Sequence, residues 1–390
     1  MPKTLSIVGG TYHEICIDPE SRELYGSALR GAAALAEKGF NIELISCISK
    51  EDLLLANSLC STFGINPKLS IIEETVTFLY YHPLSTPDAI GSVLESSEIT
   101  LPDYSADYIL HYGMIEAGSA VHGKYVVYDP QNHISFKETG STAKHLAIVL
   151  NKKEAYLLSK ASEDVSINEI GRLLLSSQQA DVVVIKNGSK GAIVIDKDTI
   201  TEIPVYKTTS VWPIGSGDIF SAVFSWQWAI NQVPAHEAAM LASQYTAGYC
   251  QTRLLPVPST PETLEAIVKR QNSKLIYLAA PFFTMGQRWL LNESREILLD
   301  FDNKVYSRYH DMQGDKINNE LRALQLADIV LALVSDPDQE TINDINEAKA
   351  MGKELILFSE NIENPNLIHM SGTNCKIVSD FSTAIYMASW

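Results

Sequence analysis

The stretch Gly215-Ser216-Gly217-Asp218 combines residue types that phosphoryl transfer requires. Glycines on both sides of a small residue let the backbone turn tightly and present successive N–H groups. An apolar helical run follows from Ala222, and a helix start adds unpaired N–H groups and the positive end of its dipole. Such a stretch would hold an anion and place Asp218 to take the proton of an attacking hydroxyl. The alternative interpretation is an ordinary glycine turn with Asp218 as a helix cap.

Short β-branched runs precede other polar residues that could serve this chemistry, at 108–111, 125–130, 146–151 and 181–186. Continuous apolar runs between helical segments predict a parallel sheet that is covered on both faces. Ligands of such sheets lie at the carboxyl ends of the strands. Asp129, Asn151 and Lys186-Asn187-Gly188 fall at those ends, so we expect them near Asp218.

Asn151 and Glu154 are three residues apart, which places both on one side of a helix start. Glu154 would then either stabilise the first turn of the helix or order water around a Mg²⁺ ion that bridges nucleotide phosphates. The spacing alone does not decide between these roles.

Composition excludes several classes of function. The formal net charge of −17 argues against a nucleic-acid binder and against adhesion to anionic membranes. The five cysteines are scattered without metal-site spacing, which is typical of reduced thiols. No apolar run approaches the ~20 residues of a membrane span, and the N-terminus lacks a signal-peptide pattern. We therefore expect a cytoplasmic protein that contacts neither nucleic acid nor membrane.

From residue 5 to about 270 the chain resembles the PfkB-type, ribokinase-like family of sugar and nucleoside kinases. The resemblance is carried by Gly9-Gly10, the small-residue helix from Gly26, Asp129-Pro130, Asn151-x-x-Glu154, Lys186-Asn187-Gly188-Ser189-Lys190-Gly191 and Gly215-Ser216-Gly217-Asp218. These pieces recur in the family's order and at roughly its spacing. The resemblance implies a three-layer α/β domain that uses ATP and Mg²⁺.

The same resemblance implies roles for individual residues. Asp218 corresponds to the catalytic base, and the amides from Gly215 through Ser216 and Gly217 to Asp218 correspond to the anion hole. Glu154 corresponds to the Mg²⁺ residue. Nucleotide-binding residues are implied at Asn151, Lys186, Gly188 and Gly191.

The acceptor side departs from the family pattern. Arg30 stands where the family has a sugar-binding Asn, and His13 or Glu14 lies near the place of its substrate-binding Asp. We therefore expect Glu14, Gly26 and Arg30 at the substrate. An Arg there would suit an anionic acceptor by bidentate pairing, whereas a surface Arg on an amphipathic helix is the alternative. Trp212-Pro213 replaces the Asp-Thr that usually precedes the glycine motif.

A Pro-rich break at 255–261 and a helix predicted over 261–270 mark the end of this domain. We place the domains at 1–272 and 273–390. Strands alternate with helices in the second domain, which predicts a small flavodoxin-like, Rossmann-like parallel sheet.

The second domain is similar to the nucleoside 2-deoxyribosyltransferase family. The similarity is carried by the strand and loop from Ile276 through Tyr277 and Pro281 to Phe283, by His310-Asp311, by 327–333, by Asp338-x-x-Thr341 and by 348–353. It implies cleavage or transfer of an N-glycosidic bond, with substrate contacts at Tyr277, Pro281, His310, Asp311 and Asp338.

The nucleophile of the second domain also departs from its family. The family places a Glu three residues after Thr341, where this chain has Asp344, and Glu347 lies one turn further along. Either residue could attack the anomeric carbon, or both could belong to a solvated acidic face.

Together these patterns predict a bifunctional enzyme of nucleoside or sugar metabolism. One domain would phosphorylate a sugar, nucleoside or sugar-phosphate hydroxyl, and the other would act on a glycosidic bond. The expected partner is a small molecule, and both resemblances favour a homo-oligomer. The alternative is a nucleotide-binding regulator or sensor whose catalytic sites have decayed.

Overall fold

A computed structural model describes residues 2–91, 100–131, 134–162, 164–267, 273–311, 316–361, 363, 367, 370 and 374–390. The chain divides into two compact units. Unit 1 comprises residues 1–208 and 212–267, and unit 2 comprises 209–211 and 268–390.

The elements of unit 1 alternate between strands and helices along most of its length. Its strands are β1 (Thr4–Val8), β2 (His13–Cys16), β3 (Ser21–Leu24), β4 (Asn41–Ser49), β5 (Asn66–Ile72), β6 (Thr77–Tyr80), β7 (Asp88–Ile90), β8 (Tyr104–Tyr112), β9 (Val121–Asp129), β10 (Thr142–Asn151), β11 (Val182–Lys186), β12 (Ala192–Asp196) and β13 (Ile200–Ile203). Its helices are α1 (Gly26–Ala34), α2 (Leu53–Thr62), α3 (Lys152–Ser159), α4 (Ile167–Ser177), α5 (Ser216–Ser225) and α6 (Ala235–Thr252).

The main sheet of unit 1 has nine strands in the order β13-β12-β11-β10-β9-β8-β1-β4-β5. The strands from β11 to β5 pair in parallel, and β12 and β13 close one edge as antiparallel strands. Alternate residues of β10 face opposite cores: Ala147 and Val149 pack with α1, α5 and α6, whereas Ile148 and Leu150 pack with α4. Helices therefore cover both faces, and the predicted three-layer α/β architecture is confirmed.

A second, small sheet of four strands has the order β3-β2-β6-β7. Its strand β2 pairs with β6 in parallel and with β3 in antiparallel orientation. Glu14 lies on β2 and Glu23 on β3, so this sheet contributes carboxylates to the surroundings of α1.

A buried ion pair connects the middle of the main sheet to α5. Lys186 Nζ, at the end of β11, donates to Asp129 Oδ2 at 2.8 Å, and Ser221 Oγ of α5 donates to the same oxygen at 2.6 Å. The side chain of Asp129 is 1% exposed, so its charge depends on these donors rather than on water. The pair therefore fixes β9, β11 and α5 relative to one another at the carboxyl edge.

The helix predicted over 261–270 is wrong for the described part of that segment. Residues 261–267 form no helix, and Ala266 makes an isolated antiparallel bridge with Tyr206. Lys207 N donates to Glu265 O and Ile267 N donates to Val205 O, at 2.9 and 2.8 Å. Pairing with an existing extended segment satisfies these backbone groups, so it overrides the local helix signal.

Unit 2 is a five-stranded parallel sheet with helices between its strands. Its elements are β14 (Leu275–Ala279), α7 (Met285–Asp300), β15 (Lys304–Ser307), α8 (Lys316–Leu326), β16 (Ile329–Leu333), α9 (Gln339–Ala350), β17 (Glu354–Phe358), β18 (Cys375–Val378) and α10 (Phe381–Ser389). The strand order β15-β14-β16-β17-β18 is the flavodoxin-like order, as predicted.

Within the described residues, the structure has no helix with the length and apolar character that a membrane crossing requires.

The Lys186–Asp129 pair yields a stability prediction. Lys186→Met leaves the Asp129 carboxylate buried without its cation, and we expect a loss of about 3 kcal/mol in the free energy of unfolding. Lys207→Met is the matched control, because Lys207 pairs with Glu265 where both side chains are about half exposed or more. That variant should lose less than about 1 kcal/mol. Chemical denaturation followed by fluorescence measures both, and equal losses would contradict the role given to Lys186.

Candidate active site

The glycine motif forms a tight turn into α5, at the carboxyl edge of the main sheet. Gly215 adopts a φ of 78°, a conformation that L side chains rarely take, and it directly precedes the first residue of α5. The first turn of α5 contains Ser216, Gly217 and Asp218. Ser216 N donates to Pro213 O at 3.0 Å, whereas the amides of Gly217 and Asp218 have no acceptor inside the helix. The turn thus presents N–H groups and the positive end of the helix dipole, which together suit an anion.

Asp218 lies buried at this turn and its carboxylate is held from two sides. Its side chain is 9% exposed. Gln131 Nε2 donates to Oδ1 at 2.9 Å, and Arg30 Nη1 donates to Oδ2 at 3.4 Å. Tyr112 Oη also donates to the backbone oxygen of Asp218 at 2.6 Å. Asp218 therefore has a defined orientation, which a general base requires.

Burial raises the pKa of the Asp218 carboxyl to about 7. The positive charge of Arg30 opposes this rise, while the negative charges of Glu14 and Asp129 add to it. A group with a pKa near neutrality is well matched to accept a proton at physiological pH. The interpretation of Asp218 as a simple helix cap is not supported, since Gly215 is the N-cap of α5 and the carboxylate of Asp218 accepts from Gln131 and Arg30.

Lys186 lies next to the amide turn as well as on Asp129. A Cβ atom added to Gly217 would stand 3.3 Å from Lys186 Nζ, so the ammonium group borders the place where the turn would hold an anion. The glycine at 217 leaves this approach open. An ammonium group beside helix amides adds positive charge where a phosphoryl group carries negative charge.

Asn151 and Glu154 form a capping box at the start of α3. Asn151 Oδ1 accepts from Glu154 N at 2.8 Å, and Glu154 Oε2 accepts from Asn151 N at 2.7 Å. The structural role that the spacing left open is thus present. Burial, followed by the charge of Asp129, raises the pKa of Glu154. The negative charge of Asp129 therefore also affects the ionisation of Glu154.

A divalent cation fits this surplus of negative charge. Asp129 Oδ1 is buried with no hydrogen-bond partner among the described residues, and the negative charge of Asp129 adds to burial in raising the pKa of Glu154. No set of three His, Cys, Asp or Glu side chains in the described ranges is arranged as metal ligands. Mg²⁺ does not need one, because it keeps several waters and binds through one or two carboxylates together with substrate phosphates.

The loop from Asn187 to Gly191 closes on itself beside Lys186. Asn187 N donates to Gly191 O at 2.7 Å, and Gly191 N donates to Gly188 O at 3.1 Å. Gly191 has a φ of 84°, and a Cβ atom there would overlap Ile203 O. Gly188 is exposed, so the loop offers backbone to solvent at the edge of the site.

Arg30 is fully buried, and its interpretation as a surface residue of an amphipathic helix is wrong. Nη1 donates to Glu14 Oε1 at 2.9 Å, Nη2 donates to Glu14 Oε2, and Nη2 lies 3.4 Å from Glu23 Oε2. The guanidinium therefore faces three carboxylates when Asp218 is included. Gly26, at the start of α1, lies in the same region, where a Cβ atom would crowd Gly10 O and Tyr12.

The residues before the glycine motif are also packed rather than open. Trp212 is 6% exposed, its amide donates to Cys250 O at 2.8 Å, and the Arg253 guanidinium lies 3.9 Å from its ring centroid. Arg253 Nη2 in turn donates to Ser21 Oγ at 2.8 Å and to Glu23. Trp212 thus packs against Arg253, which in turn bonds to Ser21 and Glu23 of the small sheet.

Sequence reasoning missed Gln131 and Glu23. Gln131 directly follows Asp129-Pro130 at a strand end, so its position was a usable signal for a residue near Asp218. Glu23 lies on a short strand of mixed polarity, and nothing in its local pattern indicates that it reaches Arg30.

In unit 2, Asp344 lies in a polar cluster in which the side chains of Asp344 and Arg308 are each 11% exposed, whereas that of Glu340 is exposed. Arg308, directly after β15, donates to Asp344 Oδ2 at 2.7 Å, to Glu340 at 2.6 Å and to Glu320 at 3.0 Å. Tyr277 of β14 contributes a side-chain hydrogen bond to Asp344. Burial raises the pKa of Asp344 to about 6 against the opposing charge of Arg308. Asp344 therefore does not belong to a solvated acidic face, whereas Glu347 is exposed as that alternative expected.

The other sites predicted in unit 2 have mostly local contacts. The ring of His310 bonds to Ser307 Oγ at 2.6 Å and to Asn292 at 2.8 Å, and Asp311 accepts from Ser307 N at 2.9 Å. Asp338 caps α9 through Thr341 N. Pro281 is buried just after β14, and Glu347 is exposed on α9.

Comparisons with known proteins agree with the architecture of unit 1. Residues 116–255 match the pfkB family of carbohydrate kinases. A nucleoside kinase from Methanocaldococcus jannaschii is 23% identical over 278 residues, which is 63% of this chain and 87% of the relative.

One solved structure supports the same fold, and a second is similar at a lower score. A ribokinase from Thermotoga maritima matches with a TM-score of 0.50 and 17% identity, over 66% of this chain and 97% of the other. The M. jannaschii nucleoside kinase structure matches with a TM-score of 0.48 and 18% identity, over 65% and 95%. The match to the T. maritima structure gives unit 1 a ribokinase-like α/β fold, and residues 116–255 match the PfkB family of carbohydrate kinases.

Proposed function

We propose that unit 1 is a kinase that transfers the terminal phosphoryl group of ATP to a hydroxyl of a small sugar or nucleoside. The observation that carries this proposal is Asp218: a buried, oriented carboxyl with a pKa near 7 at the amino end of α5. The relatives in the comparisons include kinases of nucleosides and ribose by name, which supports this substrate class.

In the proposed reaction the acceptor oxygen attacks the terminal phosphorus while the bond from that phosphorus to the ADP oxygen breaks. The hydroxyl proton passes to Asp218, and the electron pair of the broken bond leaves with ADP. The free amides of Gly217 and Asp218 stabilise the charge that develops on the phosphoryl oxygens. Lys186 adds positive charge at the same place.

Asn151, Gly188 and Gly191 flank the region that we assign to the nucleotide, and Glu154 would hold Mg²⁺ through water. The ion would neutralise phosphate charge when bound. The protein contributes the positions of its carboxylates, the amides of α5 and the ammonium group of Lys186.

The acceptor in this proposal is uncharged. We expected Arg30 to pair with an anionic acceptor, but its donors face Glu14, Glu23 and Asp218. An added phosphate or carboxylate would compete with these groups and increase a negative charge that is already in excess. A neutral sugar or nucleoside avoids this cost.

For unit 2 we propose, as a second function, attack of Asp344 on the anomeric carbon of a nucleoside. The new bond joins Asp344 Oδ to that carbon, the glycosidic bond breaks, and the base leaves with its electron pair and takes up a proton. Water or a second base then displaces the carboxylate. The supporting observation is that Asp344, unlike Glu347, is buried beside Tyr277 and Arg308.

The alternative is a nucleotide sensor without turnover. Calorimetric titration with ATP and Mg²⁺ separates the alternatives when combined with ADP measurement. Heat of binding without ADP release across a panel of sugars and nucleosides would support the sensor and contradict the kinase.

The base assignment predicts the effect of Asp218→Asn. The amide cannot take the proton, so we expect kcat for ADP release to fall by roughly 10²- to 10⁴-fold while ATP affinity stays within a few-fold. Asp181→Asn is the matched control, because Asp181 is exposed and lies at the opposite end of β11. A large loss of ATP affinity in Asp218→Asn would contradict the assignment.

The raised pKa of Asp218 predicts the pH dependence. Because the base works only when ionised, kcat/KM for the acceptor should be constant above about pH 7 and fall about tenfold per pH unit below it. Initial rates at constant ionic strength measure this profile. A plateau that extends down to about pH 5, near the ordinary range for Asp, would contradict the role of burial.

For unit 2, Asp344→Ala should abolish release of free base from nucleosides, whereas Glu347→Ala should leave it within about twofold, because Glu347 is exposed. Chromatography of base released from a nucleoside panel measures both. Equal loss in the two variants would contradict Asp344 as the nucleophile.

A further inference from the structure

Arg30 is the largest fully buried side chain among the described residues, and the proposed chemistry does not use it directly. Its side chain is 0% exposed, although a charged residue is rarely fully buried unless it is paired. It lies on α1, whereas its carboxylate partners lie on β2, β3 and α5. One guanidinium therefore joins the main body of unit 1, the small sheet and the glycine motif.

The contact with Glu14 fixes the plane of the guanidinium. Both oxygens of Glu14 accept from it, one from Nη1 and one from Nη2, which is the bidentate arrangement. A planar fork held at both tips cannot rotate, so its remaining contacts are fixed as well. Nη1, which bonds to Glu14 Oε1, is the same atom that lies 3.4 Å from Asp218 Oδ2.

Packing adds a second restraint on Arg30. A Cβ atom at Gly215 would overlap Arg30 Cδ and Nε, so the side chain lies directly on the backbone of the glycine turn. Tyr25 covers the guanidinium with its ring at 5.3 Å from centroid to Cζ. Nε has no hydrogen-bond partner among the described residues, so the orientation depends on the two Nη groups.

We propose that Arg30 is a positioning residue, whose guanidinium is held by Glu14 and in turn sets the orientation and ionisation of Asp218. The inference rests on the proposed role of Asp218 as the base. It assigns to Glu14, on the small sheet, an indirect effect on that base, and it removes Arg30 from the residues that would contact the acceptor.

Charged and titratable groups face Asp218 from every side. They are Tyr12, Glu14 of β2, Arg30 of α1, Tyr80 of β6, Tyr112 of β8, Asp129 of β9, Glu154 of α3 and Lys186 of β11. Within this set, Arg30 lowers the pKa of Asp218 and Glu14 raises it. Substitution of these two residues should therefore shift the titration of Asp218 in opposite directions.

The test is an infrared titration of the Asp218 carboxyl in the full chain without substrate. The carbonyl band of protonated Asp218 is assigned by its absence in Asp218→Asn. We expect Arg30→Met to raise the titration midpoint by about one unit or more, and Glu14→Gln to lower it. Arg172→Met is the matched control: among the described residues Arg172 bonds to the loop at Asp196 and Lys197, away from Asp218, so its loss should not move the band.

A kinetic measurement separates the effect of the Arg30 charge on Asp218 from the effect of its orienting contacts. Arg30→Lys keeps the charge but loses the fork, so we expect kcat to fall about tenfold or more with little change in KM for ATP. It also provides a folded variant if Arg30→Met, which leaves Glu14 without its partner, does not fold. Full activity in Arg30→Lys would overturn the positioning role.

The infrared titration and the kinetic measurement together distinguish a failure of the proposed kinase function from a failure of the role given to Arg30. If no acceptor is found, the proposed kinase function fails while the infrared titration still reads Asp218. If the Asp218 band has the same midpoint in wild type, Arg30→Met and Glu14→Gln, the present inference is overturned, whatever the activity.

Discussion

Unit 1 depends on how two buried cations are shared among more numerous carboxylates. Lys186 pairs with Asp129, and Arg30 pairs with Glu14 while it reaches Glu23 and Asp218. Removal of charges from water is costly unless each has a partner, so the positions of these side chains constrain the strands and helices that carry them. Burial, to which the surrounding carboxylates add, raises the pKa values of Asp218 and Glu154. In the proposed function, these surroundings give Asp218 a pKa that suits a base near neutral pH.

Short sequence segments were sufficient to predict those parts of the site that consist of backbone groups or of residues at strand ends. The glycine turn, Asp218, Lys186 and the Asn151–Glu154 pair were predictable because glycine conformation, helix capping and the carboxyl edge of a parallel sheet follow from short segments. The layered fold and the flavodoxin-like order of unit 2 were predictable for the same reason. The domain limits at 272 and 273 and the individual site roles remain predictions.

Contacts between distant segments were not predictable. Whether Arg30 faces solvent or the site depends on β2 and β3, which place Glu14 and Glu23 against it. The segment 261–267 follows the same principle, since pairing with 205–207 replaced the helix that its own sequence favours. Similarly, Asp344 and Glu347 lie three residues apart on α9. Asp344 is buried beside Tyr277 and Arg308 whereas Glu347 is exposed, and the sequence of α9 alone does not distinguish them.

Gly215 carries two independent requirements. Its backbone needs a left-handed φ, and its missing side chain leaves the space that Arg30 occupies. A chain with any side chain at 215 could not accept Arg30 in this position, whereas a chain with glycine there could accept either an arginine or a smaller residue. Any substitution at 215 would therefore strain the backbone of the turn and displace the Arg30 side chain at the same time, so this position tolerates change less than the turn alone would require.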